Sequence, residues 1–271
     1  MTTNYPNGAG ESLGDTWTTC APLLMSGVIW WVDSVTGTNA ASPAGQDREK
    51  PLATLAQAVT NASNGDMIVL KSTHAEQLTT TVTIAKELTI AGAGSTGGLP
   101  SARITFDASG EIILNTAARQ EIRNVYFGTR TALGAVERVS MSGSSDVVID
   151  GCYFECGPND NAPAVNVSAG CDRLQVNNTT FVSIATSLSS RPESGLKIAS
   201  GLAGTRLNGV TFDGGTVGFS NPYACDSSTA ALTTFEWKSI SLLRGAEIKF
   251  NASATGRLNV QTATGGGRVT W

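Results

Sequence analysis

Charge is scarce in this chain of 271 residues: Asp, Glu, Lys and Arg make up 15% of it, against about 25% in an ordinary soluble domain. With a net charge of -4 and no basic run, it lacks the clustered cations that gripping a phosphate backbone requires, so nucleic acid is not expected as a partner. Histidine occurs once, as His74, and the five cysteines (Cys20, Cys152, Cys156, Cys171 and Cys225) contain no C-x-x-C pair. Zinc sites built from His and Cys are therefore not expected, nor is any other metal or cofactor. The odd set of thiols reads as free, mostly buried cysteines of a protein made in a reducing cytosol. The longest apolar run, LLMSGVIWWV (23–32), falls well short of the roughly 20 residues of a membrane span. It follows a polar stretch rather than a basic one, so neither a signal peptide nor a membrane anchor is expected.

What the chain does have is glycine, 30 residues of it, together with many Ser, Thr and Asn. It also has a repeated phrase. IRNVYF (122–127) returns as IDGCYF (149–154), VNNTTF (176–181) and LNGVTF (207–212). The closing residues, Phe127, Phe154, Phe181 and Phe212, lie 27, 27 and 31 residues apart, a spacing to be treated as a structural repeat before anything else. Upstream of each phrase runs a second matching segment: EIILNTAARQ (111–120), RVSMSGSSDV (138–147), AVNVSAGCDRL (164–174) and LKIASGLAGT (196–205), with a fainter fifth copy in EIKFNASATGRLNV (247–260). Each copy is too short to enclose a core, so the copies must stack.

Within the phrase, positions one, four and six are apolar or small. Strict alternation along a strand would put one and four on opposite faces, so the residues between must reset the phase. The corner pairs end in Asn124, Gly151, Asn178 and Gly209, the residue types that accept a left-handed backbone at least cost. A bend of this kind every 27 or so residues winds the chain, and successive turns then pair as parallel strands about 4.8 Å apart. The expected fold is all-β: a right-handed parallel β-helix, with Phe127, Phe154, Phe181 and Phe212 as an internal column and Asn124, Gly151, Asn178 and Gly209 as a ladder of turns. A β-sandwich would explain the turn signals but not the copying position by position.

A solenoid exposes apolar surface at its ends unless they are capped. PLATLAQAV (51–59) places Leu52, Leu55, Ala56 and Val59 on one helical face, opens on a proline and stops before Asn64-Gly65, which predicts a capping helix near 51–61. MIVL (67–70) then begins the first rung. The organisation expected is an arm and first strand over 1–32 and a solenoid over 33–271, whose far end, GGGRVTW, has no sealing helix.

Catalytic chemistry would need convergent groups. Three residues before the phrase stand Arg119, Asp146 and Arg173, and at its second position Arg123 and Asp150. Stacked, these place each aspartate beside an arginine, as exposed ion-pair ladders rather than poised acids. Asp107, Glu111, Glu155, Asp160, Glu193 and Asp213 do not align with one another on this reading, and the insertion around 187–194 is the place where a pair would meet through loops. His74, close to Glu76 in sequence, reads as a polar turn position with no marked nucleophile. Gly92-Ala93-Gly94 and Gly265-Gly266-Gly267 lack the Lys-Ser/Thr of a phosphate loop and read as turns. No catalytic, cofactor or metal residue is assigned.

The segment from 30 to 78 carries WVDS at Trp31-Val32-Asp33-Ser34, the P-x-A-T helix motif at 51–59, N-G-D at Asn64-Gly65-Asp66 followed by Met67-Ile68, and H-A-E at His74-Ala75-Glu76. It resembles the opening of the pectate-lyase-like parallel β-helix superfamily. More narrowly it is similar to β-helix proteins among the structural genes of tailed bacteriophages. Ser72-Thr73 stands where a Pro-Gly is common. The resemblance implies a homotrimer on a virion, made in the host bacterial cytoplasm, and a non-enzymatic capsid decoration or head-spike protein. Its partners would be the major capsid protein or other virion proteins, and its location the capsid surface. On that reading Tyr5, Pro6, Trp17, Leu23, Leu24 and Met25 form an attachment arm; otherwise they are a first strand and a frayed tail. The alternatives are a tailspike-like enzyme degrading host glycans, with Trp237 and Tyr223 as sugar platforms, and a receptor-binding fibre.

Overall fold

The repeated phrase folds as two short strands that meet at a left-handed residue. Asn124, Gly151, Asn178 and Gly209 have φ of 51°, 63°, 47° and 66°, and each donates its backbone N–H to the corner of the next turn, Asn124 to Asp150, Gly151 to Asn177, Asn178 to Asn208 and Gly209 to Lys238, over 2.9–3.1 Å. The bend turns positions one, four and six inward together: Ile122, Val125 and Phe127 are buried, as are Ile149, Cys152 and Phe154 in the next copy.

The computed structural model describes residues 27–39, 44–115, 119–130, 137–158, 160, 162–168, 171–198, 204–219, 225–227, 232–251, 253–262 and 267–270. They form a parallel β-helix, wound in the right-handed sense that parallel crossovers take, with three faces. The first face stacks Ile29–Val32, Asp66–Leu70, Leu88–Gly92, Gln120–Arg123, Val147–Asp150, Gln175–Asn177, Arg206–Asn208 and the start of the long strand Thr233–Leu243. The second stacks Ala75–Leu78, Arg103–Phe106, Tyr126–Arg130, Tyr153–Cys156, Thr180–Ser183, Thr211–Asp213 and the end of Thr233–Leu243. The third runs from Thr81–Ile84 through Glu111–Leu114, Val139–Met141, Val165–Val167, Leu196–Ile198, Cys225–Ser227 and Glu247–Phe250 to Arg268–Thr270.

The phenylalanine column is present. Phe127, Phe154, Phe181 and Phe212 are direct register partners, fully buried, with ring centroids 4.6, 4.9 and 5.3 Å apart and interplanar angles of 17°, 13° and 11°. One copy escaped the sequence reading because its sixth residue is not aromatic: WKSISL (237–242) turns at Ser239, φ 52°, and sets Leu242 opposite Phe212. A second ladder of left-handed corners, Asp146, Arg173, Gly204 and Thr234, precedes the first face. The Arg173–Asp146 ion pair, 2.5 Å, belongs to it.

The capping helix α1, Leu55–Asn61, starts later than its proline suggested. Thr54 is the N-cap, its hydroxyl accepting from the Gln57 N–H, while Leu52 is extended and bridges Val32. Leu55, Ala58 and Val59 face the core, but Ala56 points to solvent, because a start at Leu55 rotates the buried stripe away from it. Lys86 closes the other end of α1, donating to the carbonyls of Val59, Thr60 and Ala62. No helix among the described residues is long and apolar enough to cross a membrane.

Phe154→Ala removes a ring between two stacked neighbours and is expected to cost about 3–5 kcal/mol in chemical denaturation. Asn178→Gly should change stability by no more than a few tenths of a kcal/mol, while Asn178→Val should lose roughly 1–2 kcal/mol at a left-handed corner. A Phe154→Ala loss under about 1 kcal/mol would mean that the rings do not pack as one column.

Candidate functional site

On the second face, the alternation that buries position six turns the residues on either side of it outward. The fifth position gives one outward column, Arg103, Tyr126, Tyr153, Thr180, Thr211 and Ser241, each the register partner of the next, exposed at Arg103 and half-buried at the rest. The residue after the phenylalanine gives a second column, in which Glu155, Val182, Asp213 and Leu243 are successive partners; Glu155 and Leu243 are half-buried, Val182 and Asp213 buried. Glu155 and Asp213 thus share a column two strands apart, about 9.6 Å at the usual spacing, whereas the sequence reading had them unaligned.

The chemistry concentrates around Tyr126. Its ring stacks on Tyr153 with centroids 5.0 Å apart, and the Arg103 guanidinium lies over it at 4.6 Å, a cation held against the negative face of a ring. Arg103 Nη2 also reaches Glu155 Oε2 at 3.3 Å, with the arginine side chain 46% exposed. Gly128 makes room for this arrangement: a Cβ there would stand 2.9 Å from Thr105 Cγ2 and 3.1 Å from Arg103 Nη2. Burial, the hydrogen bond to Glu155 and the Glu155 charge all push the Tyr126 phenol well above its ordinary range, so it stays protonated and donates. Burial and the charges of Glu155 and Asp213 raise Tyr153 as well. Asp213 differs. Burial alone would raise it, but two hydrogen bonds from Arg244 and one from the Gly215 N–H outweigh burial and hold it below 3.8.

Beside Tyr126 opens a cleft of about 430 Å3 lined by Ser72, Thr96, Leu99, Pro100, Ser101, Arg103 and Tyr126. Its wall is a hairpin of Ser95–Thr96 and Leu99–Pro100, inserted where the later turns have a single corner residue. Gly97 and Gly98, φ 61° and 84°, form its tip as the tight two-residue loops of hairpins require. Asn124 Nδ2 pins its base through the carbonyls of Gly92 and Gly94.

Other residues singled out in the sequence fall elsewhere. Tyr5, Pro6, Trp17, Leu23, Leu24, Met25, Cys20, Tyr223, Gly265 and Gly266 lie outside the described residues. Trp237 is no sugar platform: it is fully buried, tilted against Phe250. His74 closes the Ser72-Thr73 turn, its N–H donating to the Lys71 carbonyl at 2.9 Å, and is buried there. It is 1% exposed; its Nδ1 accepts from the Ser34 N–H, and its Nε2 lies 3.3 Å from Glu76, which itself accepts from the Leu55 N–H at the start of α1. Asp33 takes Val35 N–H, Thr36 and Thr73, and Asp66 takes Val28 N–H, Trp30 Nε1 and Ser63 N–H. The motif acids are thus structural ties. In the insertion around 187–194, Glu193 pairs with Lys197 at 2.9 Å, and its backbone N–H donates to the Asp160 carbonyl at 3.2 Å. The expected ladder holds at Arg123–Asp150, 2.9 Å, but Arg119 pairs with Glu121. Cys152, Cys156, Cys171 and Cys225 are free and buried, and burial pushes Cys152 and Cys156 up to about 12.

The scan against protein-family models found no match, and the search of curated proteins found none. Among solved structures the chain is similar to pectate lyase Pel9A, at 14% identity over 89% of this chain and 61% of that one with TM-score 0.39. It is similar to Jun a 1, the major allergen from cedar pollen, at 11% over 87% and 82% with TM-score 0.41. A rhamnogalacturonan lyase matches at 10% over 90% and 62% with TM-score 0.35. The chain spans less than two thirds of the length of either lyase. The fold itself, a parallel β-helix, is shown by the strand order and register. The expectation of a non-enzymatic protein is corrected here, since it runs against matches named as lyases. The ladder aspartates on which it leaned are paired as expected, Asp146 with Arg173 and Asp150 with Arg123, but it left out the two columns beside the phenylalanines.

Asp213 supplies a pH test. A carboxyl held below its unfolded value of 3.8 contributes stability that is present above that pH and lost as pH falls through the folded value. Arg244→Gln should therefore melt below wild type at pH 6, with the gap closing below about pH 3.8. A gap constant from pH 6 to 2.5 would contradict the pairing.

Proposed function

We propose that the second face binds and cleaves an acidic polysaccharide. The observation that carries this reading is the Arg103–Tyr126–Glu155 cluster, where an exposed cation, a phenol kept neutral and a carboxylate meet on an open, hydroxyl-lined surface. Cleavage by elimination at a uronate needs those three functions: a cation for the sugar carboxylate, a base for the ring proton and a donor for the leaving oxygen. In the free protein, Glu155 occupies the place at Arg103 that a sugar carboxylate would take. Substrate would draw the guanidinium to itself, free Glu155 as base and leave Tyr126 to protonate the departing oxygen.

A second reading, hydrolysis by Glu155 with Asp213, is raised by their shared column, whose two-strand offset of about 9.6 Å lies just beyond the roughly 6.5–9.5 Å between the carboxyl groups of inverting hydrolases. Against it, Arg244 grips Asp213, which is 8% exposed, leaving it poorly placed to activate water. The virion location, the homotrimer and the virion partners remain proposals from the sequence resemblance, and they fit an enzyme carried on a particle, as in a tailspike.

The test is incubation with polygalacturonate, alginate and hyaluronan. Elimination creates ultraviolet-absorbing unsaturated ends, and hydrolysis creates reducing ends without absorbance. Tyr126→Phe and Glu155→Gln should each lower the rate by about 100-fold or more with melting unchanged. No cleavage of any of the three, or full activity in both variants, would contradict the elimination reading; reducing ends without absorbance would select hydrolysis.

A further inference from the structure

Among the described corners between the first and second faces, the hairpin wall stands at one only, beside Arg103, one strand in from Ala75–Leu78. The five corners described after it, Asn124, Gly151, Asn178, Gly209 and Ser239, turn with one residue each, whereas the corner between Gly92 and Ala102 carries the Ser95–Thr96 and Leu99–Pro100 strands. A polymer lying along Tyr126, Tyr153, Thr180 and Thr211 therefore meets a wall at the Arg103 end and, among these described corners, no second hairpin beyond it. At that wall, Leu99 is 39% exposed and lines the cleft with Pro100, Arg103 and the hydroxyls of Ser72, Thr96 and Ser101. The volume of about 430 Å3 is at the small end of ligand sites, and its mix of apolar wall and hydroxyls suits a sugar, which has an apolar face and a polar rim. The wall is braced rather than free: Thr96 and Ser101 share a hydrogen bond of 2.9 Å, and Asn124 holds the base.

We infer that this cleft is a blind subsite for the terminal unit of a glycan chain, so that the second face engages chains by one end and in one direction. The inference rests on the proposed glycan reading of that face but not on its catalytic step. The hairpin then sets which bond lies over Tyr126 and Glu155, and Leu99, Thr96 and Ser101 act in specificity.

The experiment is a glycan array of defined acidic and neutral oligosaccharides, each printed twice, once through its reducing end and once through the other. Wild type should retain at least one glycan in one orientation by about tenfold over the other. Two variants are compared. Leu99→Trp fills the cleft without touching the core. In the other, Asn-Gly replaces residues 95–100, which a two-residue turn can do because the Ser101 N–H already bonds the Gly94 carbonyl at 3.3 Å. Loss of the orientation preference in either variant with melting unchanged supports the subsite. Equal capture in both orientations, no capture of any glycan, or an unchanged preference in both variants overturns it. Orientation-selective capture without cleavage would support this inference while sinking the catalytic reading. Equal capture alongside random internal cleavage would do the reverse.

Discussion

Every feature of this molecule depends on parallel strands stacking in register, one turn directly above the next. Because the backbone of each turn satisfies that of its neighbours, a residue type at one position of the phrase becomes a column. Column six is phenylalanine and fills the interior with rings 4.6–5.3 Å apart. Columns five and seven, forced outward by the same alternation, bring Arg103, Tyr126, Tyr153 and Glu155 side by side although they are far apart in the chain. The interior stack and the exposed cluster are two consequences of one constraint.

That constraint explains what was legible. Copying of six residues at a near-constant spacing can be read directly, and with it the corners, the buried column and the parallel winding, since each depends only on local residue types repeated in sequence. The cap was read with its start misplaced: Thr54 acts as the first cap, and Pro51 precedes it in extended chain. The copy at 237–242 was missed because Leu242 replaces the aromatic ring that had defined the phrase.

The exposed site was harder to read for a physical reason. Attention to hydrophobic positions selects the inward columns, while chemistry on a solenoid occupies the outward ones. The signal existed, in the tyrosines before Phe127 and Phe154 and the acids after Phe154 and Phe212, but it needed the alternation to be carried one residue beyond the phrase. The hairpin wall gave no such signal, because Gly94 to Ser101 reads only as a turn until the strands on either side are known to stack. Conversely, the motif residues that resemble a family opening, Asp33, Asp66, His74 and Glu76, build the first turns and anchor α1 rather than react. They announce a fold and are silent about a substrate.

The account turns on whether the outward columns of the second face receive a sugar chain. The most direct measurement is a density map of the protein with an acidic oligosaccharide bound. The account predicts a sugar carboxylate at Arg103, Glu155 released from that guanidinium and the chain end under Leu99. Sugar density on the first or third face, with the Arg103–Glu155 pair still closed, would contradict it.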